Sequence, residues 1–476
     1  MLQDKETLDV LDSVQLRDRK SRTSEAVQVA LLGAGWFGSG LVQEMAHWPG
    51  IRLRALISRN VQRAEAVVRA AGFNCERIGA RRRRLFGPGE TSCFVADELD
   101  SLDELNGIDL VFDATGDILF GARAALMAFE RKLPFATISS ELDATLGLVL
   151  KTKADEQGVV YTNCDGDQPG VLARMIDAIA SYGFRIVAAG NCKGFLDVHK
   201  TPPELTQWVR PGQNLRMITA FTDGTKQGLE LAALANGYGL VPDVRGMHGL
   251  CTSKARLVDD FLAVLSGEGI VDYCLGINGV DQGAGVFVIA AREGARIAQD
   301  MEYLKKGKGP HYLFFRDHHL CYIEAPRTIL AAAAGKAVLA PQTISAEVFA
   351  AAKKDLRPGD KLDGIGGFTV YGVIEAATQS MAENLLPIGL AEYAVARKAI
   401  SRDTPLTFDM VEFPEGNLVL ELDSEQRRLM EQAALTVSDK KAFALSDTDA
   451  DQRVVSLHSR GPVKRPSPRT KGRRTN

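Results

Sequence analysis

Apolar and polar positions fall into blocks whose period changes along the chain. Residues 27–32 (Val-Gln-Val-Ala-Leu-Leu) form a short, mostly apolar run that predicts a strand, and it stops at Gly33-Ala34-Gly35-Trp36-Phe37-Gly38. An amphipathic stretch with Leu41, Val42, Met45 and Ala46 on one face predicts a helix, and residues 51–58 predict a second strand. Over residues 59–71, Ala64, Val67, Val68 and Ala71 recur at helical spacing. Residues 108–113 predict another strand, running into Ala114-Thr115-Gly116; a helix over 121–131 and a strand over 134–138 follow. Strand and helix alternate throughout this half, which is the mark of an α/β fold with a parallel sheet.

Near residue 150 the rhythm changes. A strand at 159–162, a polar turn at 163–170 and a helix at 171–181 lead to a strand that becomes a loop over 186–200. Residues 221–226 open a helix carrying Glu230 and Asn236; residues 285–290 read as a buried strand, and 311–321 as an aromatic strand with His318 and His319 adjacent. From Gln342 short strands around tight turns take over, at 351–367 and again at 396–407. The expected organisation is an extension at 1–26, a nucleotide-binding domain of Rossmann type at 27–150 and a central α+β substrate and dimerisation domain at 151–340. A small β-rich domain at 341–445 and a basic tail at 446–476 without apolar period complete it.

The glycine turn narrows the chemistry. Gly33, Gly35 and Gly38 have G-x-G-x-x-G spacing between a strand and a helix, the context in which such a loop binds a dinucleotide. Gly33 permits the tight turn, Gly35 lets a pyrophosphate approach the backbone, and Gly38 lets helix and strand pack closely. The helix opening at Trp36 and Phe37 presents unpaired N–H groups to phosphate. The second strand ends in Ser58-Arg59-Asn60, with no carboxylate to hold the ribose hydroxyls, and Arg59 can pair with a 2′-phosphate; NADP(H) is expected over NAD. Thr115 and Gly116 are expected beneath the nicotinamide ribose, with Ser139-Ser140-Glu141 on the same side.

Composition removes several function classes. The chain has 476 residues, enough for two or three domains, with 45% hydrophobic and 25% charged residues and a net charge of -3. No global field points to nucleic acid, and no apolar run approaches the ~20 residues of a membrane span. The N-terminus lacks the pattern of a signal peptide, so a cytoplasmic protein is expected. The 7 cysteines are scattered without C-x-x-C pairs, against a zinc ribbon or a disulfide framework. Arg81 to Arg84 form either a solvated loop or a contact to a phosphate or partner.

Candidate reactive groups gather in the second half. Asp165 and Asp167 stand two apart before Gln168, as a helix-capping turn, a substrate contact or both. Lys193 lies between Gly190 and Gly194, which allow a close backbone approach and would let its ammonium reach a reacting carbonyl or a substrate phosphate. Asp223 precedes a helix on which Lys226 and Glu230 are four apart, either a site pair or a surface ion pair. Of the two histidines only one can face a site, and His319 is the choice; Arg316 is a candidate anion anchor.

Two stretches resemble known families. The N-terminal half resembles the nucleotide domain of homoserine dehydrogenase. Ala352-Lys353-Lys354-Asp355-Leu356-Arg357-Pro358-Gly359-Asp360, then Leu362-Asp363-Gly364-Ile365-Gly366-Gly367 and Leu406-Thr407, closely match the strand pattern of a SAF domain. Together, over roughly residues 25–440, the chain resembles a bacterial homoserine dehydrogenase-like family with a C-terminal SAF domain. That family includes the DRL enzymes, similar in activity but not in sequence to 1-deoxy-D-xylulose 5-phosphate reductoisomerase. The N-G-T-x-N-Y-I-L segment of homoserine dehydrogenase is missing, and Lys193-Gly194-Phe195 and Asp223-Gly224-Thr225-Lys226 stand instead. The resemblance implies an NADPH-dependent rearrangement and reduction of a sugar phosphate in a homodimer, with Mg²⁺ or Mn²⁺. From residue type and placement, Lys193 is the candidate electrophile or acid, Lys226 a second cationic contact, and Asp223 and Glu230 candidate catalytic carboxylates; Asp165 and Asp167 are the candidate metal ligands. The alternatives are oxidation of a small hydroxy acid or sugar acid, and a non-catalytic NADP(H)-binding sensor.

Overall fold

The strand Val27–Leu32 (β1) sits at the middle of a parallel sheet, between Ile51–Ile57 (β2) and Leu110–Asp113 (β5). The computed structural model describes residues 26–77, 92–210, 212–276 and 285–432. The Arg81–Arg84 run, the extension before residue 26 and the basic tail lie outside the described residues. Spatial contacts divide the chain into Met1–Gln426 and Arg427–Asn476, and every element named here lies in the first unit.

Helices Trp36–Ala46 (α1) and Val61–Ala70 (α2) follow β1 and β2, and Asn74–Arg77 (β3) and Ser92–Ala96 (β4) extend the sheet at one edge. Beyond β5, helix Ile118–Glu130 (α3) and strand Phe135–Thr137 (β6) continue it on the other side. The order is β3-β4-β2-β1-β5-β6-β7, where β7 is Tyr161–Asn163, so this sheet runs past the boundary expected at residue 150. Leu31, Leu53, Leu56 and Phe112 lose all exposure between the helical layers. Each such side chain stabilises the fold by roughly 1.5–3 kcal/mol, which makes this sheet a rigid platform.

Helix Ser140–Glu156 (α4) occupies a stretch for which the sequence predicts no element, beyond placing Ser139-Ser140-Glu141 on the cofactor side. Ser139 caps it, its Oγ accepting from the Leu142 N–H at 3.1 Å, and Glu141 and Asp143 lie in the first turn, where the helix dipole favours negative charge.

After β7, helix Gln168–Ser181 (α5) leads to Arg185–Lys193 (β8), the central strand of a second, mixed sheet. Helices Leu215–Thr222 (α6) and Thr225–Tyr238 (α7) come next, then strands Val241–Pro242 (β9) and Leu250–Thr252 (β10), helix Leu257–Leu262 (α8) and strand Ile270–Gly276 (β11). Strand Val286–Ala291 (β12), helix Ala295–Tyr303 (α9), strand His311–Arg316 (β13) and helix Pro326–Ala333 (α10) complete this part. β8 pairs parallel with β11 and antiparallel with β12. The paired histidines lie beyond β13, in the loop that follows it rather than on an aromatic strand.

Strands Ala346–Ala352 (β14) and Val370–Ala376 (β15) pair antiparallel over their full length. The stretch expected as strand, turn, strand from 351 to 367 is mainly the connection between them. Isolated bridges Leu356↔Ile400 and Lys361↔Val395 tie that connection to the second turn unit. Among the described residues no helix is long and apolar enough to cross a membrane.

Candidate active site

The carboxyl ends of β1, β5, β6 and β7 open on one edge of the parallel sheet, where ligands of such folds bind. At the end of β1, Gly33 has φ +99° and a Cβ there would meet the Ala114 carbonyl oxygen at 2.8 Å. A Cβ on Gly38 would lie 2.0 Å from the Gly33 oxygen. The protein's own backbone therefore requires both glycines. Gly35 differs: a Cβ there would meet nothing within 4 Å. The space in front of it opens at the N-terminus of α1, a cradle that fits a pyrophosphate.

Asp113, at the end of β5, is fully buried and shapes the next loop. It accepts from the Thr115 N–H at 3.0 Å, the Thr115 hydroxyl at 2.6 Å and the Thr137 hydroxyl at 3.0 Å. Thr115 and Gly116 are thus held beside the glycine turn, and Met217 of α6 lies over Gly116. The Trp36 ring is 41% exposed and packs edge-on to Tyr322 at 5.4 Å, while Phe37 stacks on Phe112. Trp36 and Phe37 thus anchor the loop to neighbouring elements. The Ser58 N–H is tied to the Ala96 carbonyl, and Arg59 is exposed at the end of β2.

β8 and α7 hold a buried polar cluster. Lys193 Nζ stands 3.6 Å from Glu230 Oε2 and 3.5 Å from Gln168 Oε1, with the Phe221 ring centroid 5.6 Å away. Asn191 Nδ2 donates to Gln168 Oε1 and, at 3.4 Å, to Glu230 Oε2; Gln227 Nε2 donates to Asn191 Oδ1. Asn191 and Lys193 are two apart on β8 and so share a face. That spacing was the available signal for Asn191, which sequence reasoning missed, as it missed Gln227.

Lys226 and Glu230 are both buried and do not pair with each other on a surface. Lys226 Nζ donates to both Glu141 oxygens at 2.9 Å and to Ser140 Oγ at 2.7 Å. Burial alone would lower the Lys226 pKa, but the charges of Glu141, Asp167 and Glu230 outweigh it and raise it well above the usual range. Burial pushes the Glu230 carboxyl up to about 7, against the opposing charge of Lys193, and among the described residues its Oε1 has no hydrogen-bond partner. A carboxyl that exchanges its proton near neutral pH, beside a lysine donor, is equipped for acid–base work on a carbonyl or hydroxyl.

Other expected residues lie elsewhere. Asp223 is fully buried and pairs with Lys353 Nζ at 2.7 Å, so it has no contact in the Lys193–Glu230 cluster. Asp165 lies between Arg174, at 3.4 Å, and Arg327, at 3.5 Å. Asp167 precedes α5 without capping it. These carboxylates do not fit a divalent ion: Asp165 is engaged by two guanidiniums, and among the described residues no group of three or more His, Cys, Asp or Glu is placed to hold a metal. Arg316 is engaged by Glu324. His319 does reach the cluster, its Nε2 3.3 Å from Gln168 Nε2 and its Nδ1 3.1 Å from the Gly166 oxygen.

The glycine turn at the end of β1 and the buried lysine–carboxylate cluster, tied to the end of β6 through Lys226 and Glu141, are the parts of a nicotinamide-dependent oxidoreductase. Residues 166–325, which carry Gln168, Asn191, Lys193, Lys226, Glu230 and His319, match the family model of the oxidoreductase DRL catalytic domain. Comparison with curated proteins gives no match. Among solved structures the chain is similar to a myo-inositol dehydrogenase from Corynebacterium glutamicum, at 12% identity and TM-score 0.38, covering 65% of this chain and 89% of that one. It is also similar to a 3-ketoreductase from Actinomadura kijaniata in complex with NADP, at 11% identity and TM-score 0.37, covering 66% and 91%. Likenesses this distant carry no argument about substrate.

Proposed function

We propose that this protein is an NADP(H)-dependent reductoisomerase of DRL type acting on a phosphorylated sugar such as 1-deoxy-D-xylulose 5-phosphate. The observation that carries the reading is Lys193, held between Glu230 and Gln168. The match of residues 166–325 to the DRL catalytic domain supports the reaction class. Arg59, with no carboxylate at the end of β2, supports NADP(H).

A bound nicotinamide supplies or accepts the hydride. The remaining work falls to side chains of this chain. Rearranging a hydroxy-ketone requires an oxyanion to be stabilised while a carbon–carbon bond moves, and the Lys193 ammonium donates to that oxygen. Glu230, near neutrality, takes or returns the hydroxyl proton. Lys226 is saturated by Glu141 and Ser140, so it provides fixed positive charge rather than a proton. The resemblance to the DRL family adds a homodimer.

The test is NADPH oxidation by the purified full chain with 1-deoxy-D-xylulose 5-phosphate, with NADP⁺ reduction by homoserine measured beside it. Turnover with the sugar phosphate is the expected result. Turnover with homoserine alone would replace this reading with hydroxy-acid oxidation.

A further inference from the structure

Three guanidiniums meet beside the cluster, and neither cofactor binding nor the proton chemistry uses them. Arg174 comes from α5, Arg316 from the end of β13 and Arg327 from α10. Behind them stand two buried acids, Asp165 and Glu324, whose side chains are 4% and 9% exposed. Arg174 Nη2 bridges the two, 3.4 Å from Asp165 Oδ1 and 3.0 Å from Glu324 Oε2. Arg316 Nη1 lies 3.3 Å from Glu324 Oε2, and Arg327 Nε 3.5 Å from Asp165 Oδ2.

The arrangement is layered. The acids are inside, while the arginine side chains are 28%, 23% and 30% exposed, so the acids fix the guanidiniums from behind and leave their outer edges in solvent. Three positive charges against two negative ones leave a surplus of one. Burial, and then the charge of Arg174, lower the Arg327 pKa, against the opposing pull of Asp165 and Glu324. Arg327 Nε lies 3.5 Å from Asp165 Oδ2, and among the described residues no hydrogen bond engages the Arg327 guanidinium. A guanidinium fork with free donors matches a phosphoryl group in both charge and geometry.

The segments beside these arginines and their acids also carry groups of the cluster. Asp165 and Gln168 are three apart, as are Arg316 and His319, and the two loops interlock at Gly166. Gly166 N–H bonds to Asp165 Oδ1, its carbonyl accepts from the Cys321 N–H at 2.9 Å, and a Cβ on it would strike the Cys321 oxygen at 2.1 Å.

We propose that Arg174, Arg316 and Arg327 form a subsite for a phosphoryl group on the substrate. The proposal rests on the reading of this site as one that handles a phosphorylated sugar. It is tested by calorimetric titration of the full chain with inorganic phosphate against chloride at matched ionic strength, with NADPH binding followed by fluorescence in parallel. The variants are Arg316→Lys and the double variant Arg327→Gln with Asp165→Asn, which leaves no buried carboxylate without a partner. The double variant should bind phosphate about tenfold more weakly and Arg316→Lys severalfold more weakly, with NADPH affinity unchanged. Unchanged phosphate affinity in both variants, or no preference for phosphate over chloride in the wild type, overturns the subsite. Parallel loss of NADPH and phosphate binding also overturns it, because the cations would then serve the 2′-phosphate of the cofactor. Phosphate binding without turnover of any sugar phosphate would refute the proposed reaction and leave the subsite standing.

Discussion

Gly35 and Gly38 lie three residues apart and predict opposite outcomes. A Cβ on Gly38 would collide with the Gly33 oxygen, so Gly38→Ala should weaken both the fold and the cofactor site, seen as a lower melting temperature. A Cβ on Gly35 finds open space, so Gly35→Ala should melt like the wild type yet bind NADPH at least about tenfold more weakly, because the methyl occupies the pyrophosphate's place. Equal NADPH affinity for Gly35→Ala and wild type would remove the cradle assignment. The loop was legible because its constraint is local, between a turn and its own neighbours. The partner of Lys226 was not, since Glu141 is 85 residues away and the i, i+4 spacing to Glu230 pointed to the wrong acid. Asp223 misled for the same reason: its partner Lys353 lies 130 residues on.

At the scale of elements, α7 links the reacting cluster to the C-terminal hairpin. Glu230 and Lys226 belong to the cluster, while Thr225 Oγ1 accepts from the Gly372 N–H at 2.7 Å and Asn236 Oδ1 accepts from Ser345 and Ala346 at 2.8 and 3.0 Å. Lys353 Nζ ties Asp223 to the carbonyls of Lys200, at 2.9 Å, and Gly367, at 3.0 Å. The hairpin region therefore braces the helix that holds Glu230. Lys353→Met should cost about 3–5 kcal/mol in urea unfolding, because it leaves Asp223 buried without its counter-charge. Adding Asp223→Asn should recover a large part of that loss, and no recovery would mean that the packing of the lysine stem, rather than the charge, is what matters. The alternation of strand and helix over the first half was readable from its period. Helix α4 was not, because its first turn is acidic and polar where an apolar face was sought, and its buried Glu141 takes its counter-charge from Lys226, far away in sequence.

For the whole molecule, buried carboxyls set a pH dependence. Burial raises Glu230 and Asp143 to about 7 and Asp113 to about 6. All three folded values exceed those of the unfolded chain, so the folded state holds these protons more tightly. Their stabilisation is complete below the ordinary carboxylate range and is lost as pH rises through the folded values. The melting temperature should therefore fall between about pH 4 and pH 7 and level off above. Asp143 Oδ1 accepts from the Tyr161 hydroxyl at 2.9 Å, a bond that an amide oxygen keeps, so Asp143→Asn should flatten this slope. A slope unaltered by that substitution would place the titration elsewhere.

The most direct measurement of the account is NADPH turnover by wild-type protein and Lys193→Ala with 1-deoxy-D-xylulose 5-phosphate, with cofactor affinity measured on both. Lys193 meets the cluster from β8 and holds no part of the glycine turn. The variant should bind NADPH as the wild type does and turn over about 10²–10⁴ times more slowly, the range for removing a positioned acid. Turnover within a factor of a few of the wild type would contradict the central claim that Lys193 acts on the reacting carbonyl.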